Sequence, residues 1–211
     1  MRTTATILLL TILTSCSDTT TTKQPNLATL PDSTTMEQSL FFHEDDYCQV
    51  QLTVKENLSY LKKEAEVVLG FAKEHFDGSG FTDMKVRGEM PFKLSERQIK
   101  NNDIEPMIAK TGFTKISKVF TGYGQSYREE LKSTKAYGKN GCAIFYDFKD
   151  SFVGHIWLDY HWGNLQTDKD SLCSCLIALG QKWNLVLMDW NQLKLVDLSD
   201  SSATRTYLTE R

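Results

Sequence analysis

Apolar positions along this chain follow two rhythms from Tyr47 onward. Tyr47 to Leu52 alternates and predicts a strand. Beyond it, Val54, Leu58, Leu61, Ala65, Val68 and Ala72 recur three and four apart, which predicts a helix with one buried stripe and with Glu56, Lys62, Lys63, Glu66 and Lys73 mostly in water. Thr53 and Glu56 form a capping-box pattern at its start, and the helix should end near His75, before Asp77-Gly78-Ser79-Gly80. Thr82 to Arg87 and Ile116 to Thr121 read as strands, and Ile104 to Lys110 as a short helix closed by Gly112. Pro91 interrupts any regular pattern between Gly88 and Asp103, and Tyr127 to Gly141 fits either a strand or a short helix. The strongest strand pair is Cys142 to Phe148 with Phe152 to Trp162, parted by Lys149-Asp150-Ser151. Asp170 can cap a helix through Leu172, Cys175, Leu176 and Leu179 that stops at Gly180. Leu185 to Trp190 and Leu193 to Leu198 predict a hairpin around Asn191-Gln192, and a last helix, capped by Ser199 or Asp200, carries Ala203, Tyr207 and Leu208. Adjacent strands with interspersed helices predict an α+β fold: one domain over residues 41–211, a mainly antiparallel sheet with helices packed on it.

The first forty residues follow neither rhythm. A basic start at Arg2 leads into an apolar run from Ala5 to Leu13, far shorter than the about 20 residues that a spanning helix needs. It fits the apolar core of a secretory signal. Residues 16–40 are rich in Thr and Ser and poor in large apolar side chains, so they read as a flexible tether with an r.m.s. reach of about 25–30 Å. Leu13-Thr14-Ser15-Cys16 resembles the lipobox of bacterial lipoproteins. That resemblance implies cleavage after residue 15 and attachment of lipid at Cys16, with multiple acyl chains for stable anchoring. Ser17 resembles an outer-membrane sorting signal, and Asp18 resembles a surface-export tag of some other bacteria. The expected address is the outer membrane facing the periplasm, with the cell surface as the alternative.

Composition is that of a globular protein, 40% hydrophobic and 24% charged. Loss of the signal, whose one charged side chain is Arg2, moves the formal net charge from -3 to -4. No basic stripe is available for nucleic acid, so none is expected as a partner. Four cysteines remain beside Cys16: Cys48, Cys142, Cys173 and Cys175. In an oxidising compartment they allow three disulfide connectivities, and buried free thiols are the other outcome. Cys173 and Cys175 diverge on a helix and should not bond each other.

Candidate chemistry concentrates in two places. On a strand, His155, Trp157, Asp159 and His161 share one face, while Ile156, Leu158 and Tyr160 share the other. His155 and His161 would lie roughly 20 Å apart at about 3.3 Å per residue, too far for one metal. Only Asp159 with His161 and a distant ligand remains, so no metal and no cofactor is expected. A polar, aromatic face suits a protein partner, since Trp and Tyr anchor interfaces. His43-Glu44-Asp45-Asp46 is the densest charge cluster, and Asp45 and Asp46 could meet a basic partner. It lacks the glycine and alternating ligands of a calcium loop. Gly-x-Ser-x-Gly is absent around Ser79, the glycines at 122 and 124 do not complete a phosphate loop, and Cys142 opens a buried strand without a protease signature.

Three segments resemble small α+β immunity proteins encoded beside bacterial polymorphic toxins: Glu74-His75-Phe76-Asp77-Gly78-Ser79-Gly80-Phe81-Thr82, Gly141-Cys142-Ala143-Ile144-Phe145-Tyr146-Asp147, and Leu187-Met188-Asp189-Trp190 with Val196-Asp197-Leu198 and Tyr207-Leu208. The resemblance implies a non-enzymatic protein that blocks a cognate toxin in the periplasm. A cell-envelope hydrolase and a structural or assembly lipoprotein are the alternative expectations.

Overall fold

Alternation sets the first element. In β1 (Ser39–His43), Leu40 and Phe42 are buried and the residues between them are not. The computed structural model describes residues 38–123, 127–160 and 167–211. Ser39 and Leu40 therefore belong to the folded unit, two residues ahead of the expected boundary. The lipobox, Cys16, most of the tether, and His161 lie outside the described residues.

β2 (Val50–Val54) is buried at all five positions, as a central strand should be. Thr53 is thus a strand residue, not a helix cap. α1 (Leu58–Glu74) starts instead at Asn57, whose side chain donates to Thr53 Oγ1 at 2.9 Å and to the Phe92 carbonyl at 2.8 Å. Glu56 pairs with Arg97. The expected stripe holds: Leu58, Leu61, Ala65 and Val68 pack together against Val186, Met188 and Trp190.

Residues 82–87 form no strand, contrary to expectation, because their apolar side chains face away from the body and find no pairing partner. The chain then runs through α2 (Asn101–Lys110), β3 (Thr114–Ile116), β4 (Lys118–Tyr123), β5 (Tyr127–Glu130), β6 (Thr134–Lys139), β7 (Cys142–Lys149) and β8 (Phe152–Asp159). α3 (Lys169–Trp183), β9 (Leu185–Asp189), β10 (Lys194–Asp197) and α4 (Ser201–Glu210) complete it. The undecided stretch 127–141 is strand on both sides of a turn. Asp168, not Asp170, caps α3 by accepting from the Ser171 N–H at 3.0 Å. Gly180 does not end that helix; it lies inside it, where a Cβ would sit 2.2 Å from Leu198 Cβ. The stop comes at Asn184, in the left-handed region. Asp200 caps α4 through the Ser202 and Ala203 N–H groups.

Two sheets result. The larger has the order β10-β9-β2-β8-β7-β6-β3 and is antiparallel throughout; the smaller, β1-β4-β5, contains one parallel pair, β1 with β4. The fold is α+β with a mainly antiparallel sheet. One face of the large sheet, including Leu52, Ile144, Ile156 and Leu187, packs under Ile104, Leu176 and Leu208 from α2, α3 and α4. The opposite face is covered in two patches. α1 covers Val186 and Met188. The small sheet covers Phe145 and Trp157 through Leu40 and Phe42. The cysteines 48, 142, 173 and 175 are all buried and free. Among the described residues no helix is long and apolar enough to cross a membrane.

Candidate functional site

The β7–β8 pair carries an irregularity that builds a polar cluster. Asp147 opposes His155 and Phe148 opposes Val153, so Gly154 is an extra residue in β8. The bulge brings the Asp147 carboxylate back over β8. Oδ1 accepts from the His155 N–H at 2.6 Å, and Oδ2 lies 2.9 Å from His155 Nδ1. A Cβ at position 154 would fall 2.7 Å from Oδ1, so the close approach requires glycine.

A third partner comes from the turn before β2. Cys48 adopts φ +55°, and Tyr47 just before it donates its hydroxyl to Asp147 Oδ2 at 2.8 Å and lies 3.1 Å from His155 Nδ1. With both donors aimed at Asp147, the imidazole carries its proton on Nδ1. Among the described residues no hydrogen bond reaches Nε2, and the ring lines a cleft of about 700 Å³.

Burial favours a neutral Asp147, but the bond and charge of His155, together with the Tyr47 hydroxyl, hold the carboxyl below its ordinary value. The same bond raises His155 above 6.5, against burial and the nearby Lys93 charge. Cys48 also lines the cleft; burial first, then the Asp147 charge, pushes its thiol up to about 12. It stays a thiol at neutral pH and is no ready nucleophile. The cluster can therefore fix an imidazole, hold a proton on it and present the second nitrogen to a ligand.

The far wall of the cleft is the segment between α1 and α2. Lys85 reaches Glu64 at 3.5 Å, and Arg87 donates to Gln49 at 3.2 Å while its guanidinium stacks over Trp190. The Tyr60 hydroxyl donates to the Gly88 carbonyl at 3.1 Å, and Phe92 N–H donates to Asn57 Oδ1 at 3.0 Å. The segment is thus pinned at four successive points by α1 and by the residues just before α1 and β2. It leaves Phe81, Met84 and Val86 at 67%, 88% and 89% exposure, with Val86 also lining the cleft.

The residues expected to share a site are dispersed. His155 is in the cleft. Trp157 is 1% exposed, stacked on Phe145 at 5.2 Å beneath the small sheet, so its ring does not reach a partner. Asp159 opposes Ala143 at the other end of β8. Asp45 and Asp46 are exposed on a single 3₁₀ turn (Glu44–Asp46), where His43 Nδ1 accepts from the Asp45 N–H at 3.3 Å. His161 lies outside the described residues. Among the described residues no group of three or more His, Cys, Asp or Glu side chains is placed to hold a metal ion. Tyr47, Asp147, Arg87 and Lys93 were not singled out from sequence. Asp147 carried a usable signal, an ionisable side chain at the end of the apolar run from Cys142 to Tyr146.

No protein-family model, curated protein or solved structure matches this chain.

Proposed function

We propose that this chain is an exported, lipid-anchored protein that binds a protein partner, and that the partner is a toxin neutralised in the periplasm. The Leu13-Thr14-Ser15-Cys16 pattern supports the anchor, and the likeness to immunity proteins supports the toxin. The observation that carries the binding role is the 76–92 segment. Met84 and Val86 are almost fully exposed on a segment tied at Lys85, Arg87, Gly88 and Phe92. Large apolar side chains displayed in a cluster mark interaction surfaces. Anchoring them in advance lowers the ordering cost of association.

Co-expression with the product of the adjacent gene tests the reading: it predicts protection of the cell and a stoichiometric complex. Neither protection nor complex would overturn it. Labelling with radioactive palmitate tests the anchor: wild type incorporates label and Cys16→Ser does not. Equal incorporation would remove it.

The Asp147–His155 pair beside a cleft also favours a second reading, an envelope hydrolase using His155 as general base. That reading predicts hydrolysis lost in His155→Gln, with partner capture unaffected.

A further inference from the structure

The cleft has a chemistry of its own. Its charged lining is Lys85, Arg87 and Lys93 against Glu89, with the titratable His155 beside them, a local cationic excess in a chain whose net charge is -3. Lys85 is committed to Glu64. The other three retain donor capacity. Arg87 has five N–H donors in a planar guanidinium that lies over the Trp190 ring, and spends one on Gln49. His155 has Nδ1 occupied by Asp147 and Tyr47, so Nε2 is the nitrogen left for a ligand. Lys93 meets Glu89 across 3.5 Å with both side chains largely in water, a contact that contributes little and exchanges readily. The same lining includes an apolar part, contributed by Leu52, Val86, Met90, Phe92 and Leu94.

We infer that this cleft receives an acidic, partly apolar peptide segment of the protein partner, with a carboxylate held by Arg87, Lys93 and His155. The inference rests on the partner-binding reading above and names the chemistry that the partner must show. A planar guanidinium suits a carboxylate, and so does the imidazole when it is doubly protonated and its Nε2–H donates, so the two carboxylate oxygens can accept from both. The apolar wall adds a requirement that a lone small acid does not meet. Phe81 and Met84 are exposed on the same segment, and Val86, also exposed, lines the cleft itself, so a partner that covers the segment can also reach the cleft.

Calorimetric titration of the full chain with a capped hexapeptide of alternating leucine and glutamate tests the assignment. The matched leucine–glutamine peptide and glutarate serve as separate arms. The glutamate peptide should bind, the glutamine peptide and glutarate each at least about tenfold more weakly, as loss of a charge-assisted bond or of apolar contact implies. Lys93→Gln, at an exposed position, should weaken the glutamate peptide about tenfold, and the His155 ring resonances should move on binding in wild type. Equal binding of the glutamine peptide would mean apolar contact alone. Equal binding of glutarate would mean a small-acid site. Either result overturns the inference, as does no binding or an unchanged affinity in Lys93→Gln. The titration uses no partner. Failure here beside an intact toxin complex removes the cleft's role only, whereas peptide binding without any toxin complex contradicts the partner reading.

Discussion

Two carboxylate clusters stand back to back on β7, and they differ in what they leave unsatisfied. Tyr146 points to the helix-covered face and donates to Glu105 of α2 at 2.9 Å; the next residue, Asp147, points to the opposite face and meets Tyr47 and His155. Glu105 is saturated. Lys135 and Tyr146 reach Oε1, while Tyr137 and Lys115 reach Oε2 at 3.0 and 3.1 Å. Burial opposes its ionisation, but those four donors hold the carboxyl down at about 2. All four bonds to the carboxylate are made within the protein, so the cluster ties α2 to β3, β6 and β7 and leaves the Glu105 oxygens nothing to offer a ligand. The Asp147 cluster is smaller and open. Its histidine keeps one nitrogen on a cleft with Arg87 and Lys93. Alternation along one strand thus separates a structural knot from a candidate binding site by a single residue.

The largest effect should come from breaking the knot. Glu105→Leu strands Lys135 and two tyrosine hydroxyls and should cost roughly 2–3 kcal/mol. In thermal unfolding that is a fall of about 5–10 °C for a domain of this size. Peptide binding at the cleft should survive at temperatures where the variant is folded.

Acid should act next, on both clusters at once. Glu105 and Asp147 are held below their ordinary values of 4.5 and 3.8. Each contributes stability that is complete above its unfolded value and is lost as pH falls toward the folded one, for Glu105 between about 4.5 and 2. His155 has the opposite sign. Its folded value is raised, so its contribution is complete below 6.5 and fades as pH rises through the folded value. Denaturation midpoints from pH 2 to 9 should therefore fall steeply on the acid side. On the alkaline side they should fall shallowly, and His155→Gln should remove the His155 share of that limb while also weakening the acid limb, because His155 is what holds Asp147 down.

A smaller effect is expected from Tyr47→Phe, which removes one donor to Asp147. It should cost about 1 kcal/mol and raise the Asp147 carboxyl toward its ordinary value, read by NMR titration. An unchanged Asp147 titration would reduce Tyr47 to a packing residue.

Much of the fold was legible from side-chain rhythm. The β7–β8 pair, the α1 stripe and the two faces of β8 follow from local alternation, with Ile156 and Leu158 in the helix-covered core and Trp157 on the far side. What failed depended on distant partners. β1 is recognisable only beside β4, which arrives after residue 117. Thr53 matched a capping pattern, yet pairing with Val186 in β9 claimed it for the sheet. Thr82 to Arg87 alternates like a strand but has no neighbour to bond, and its exposed Met84 and Val86 became the most exposed large apolar side chains described. The site was less legible still. His155 was found as a strand position, but its partnership with Asp147 depends on a one-residue bulge at Gly154, and Arg87 and Lys93 join it through an irregular segment without periodicity.

The smallest effect on stability, and the most direct test of partner binding, is expected from the double variant Met84→Asp with Val86→Asp. Both side chains are solvent-exposed, so unfolding should shift by no more than about 0.5 kcal/mol. Size-exclusion chromatography and calorimetry of this variant with the adjacent-gene product should show the complex lost or weakened by at least about a hundredfold, as removal of interface anchors implies. A complex of undiminished affinity in a variant of unchanged stability would contradict the account.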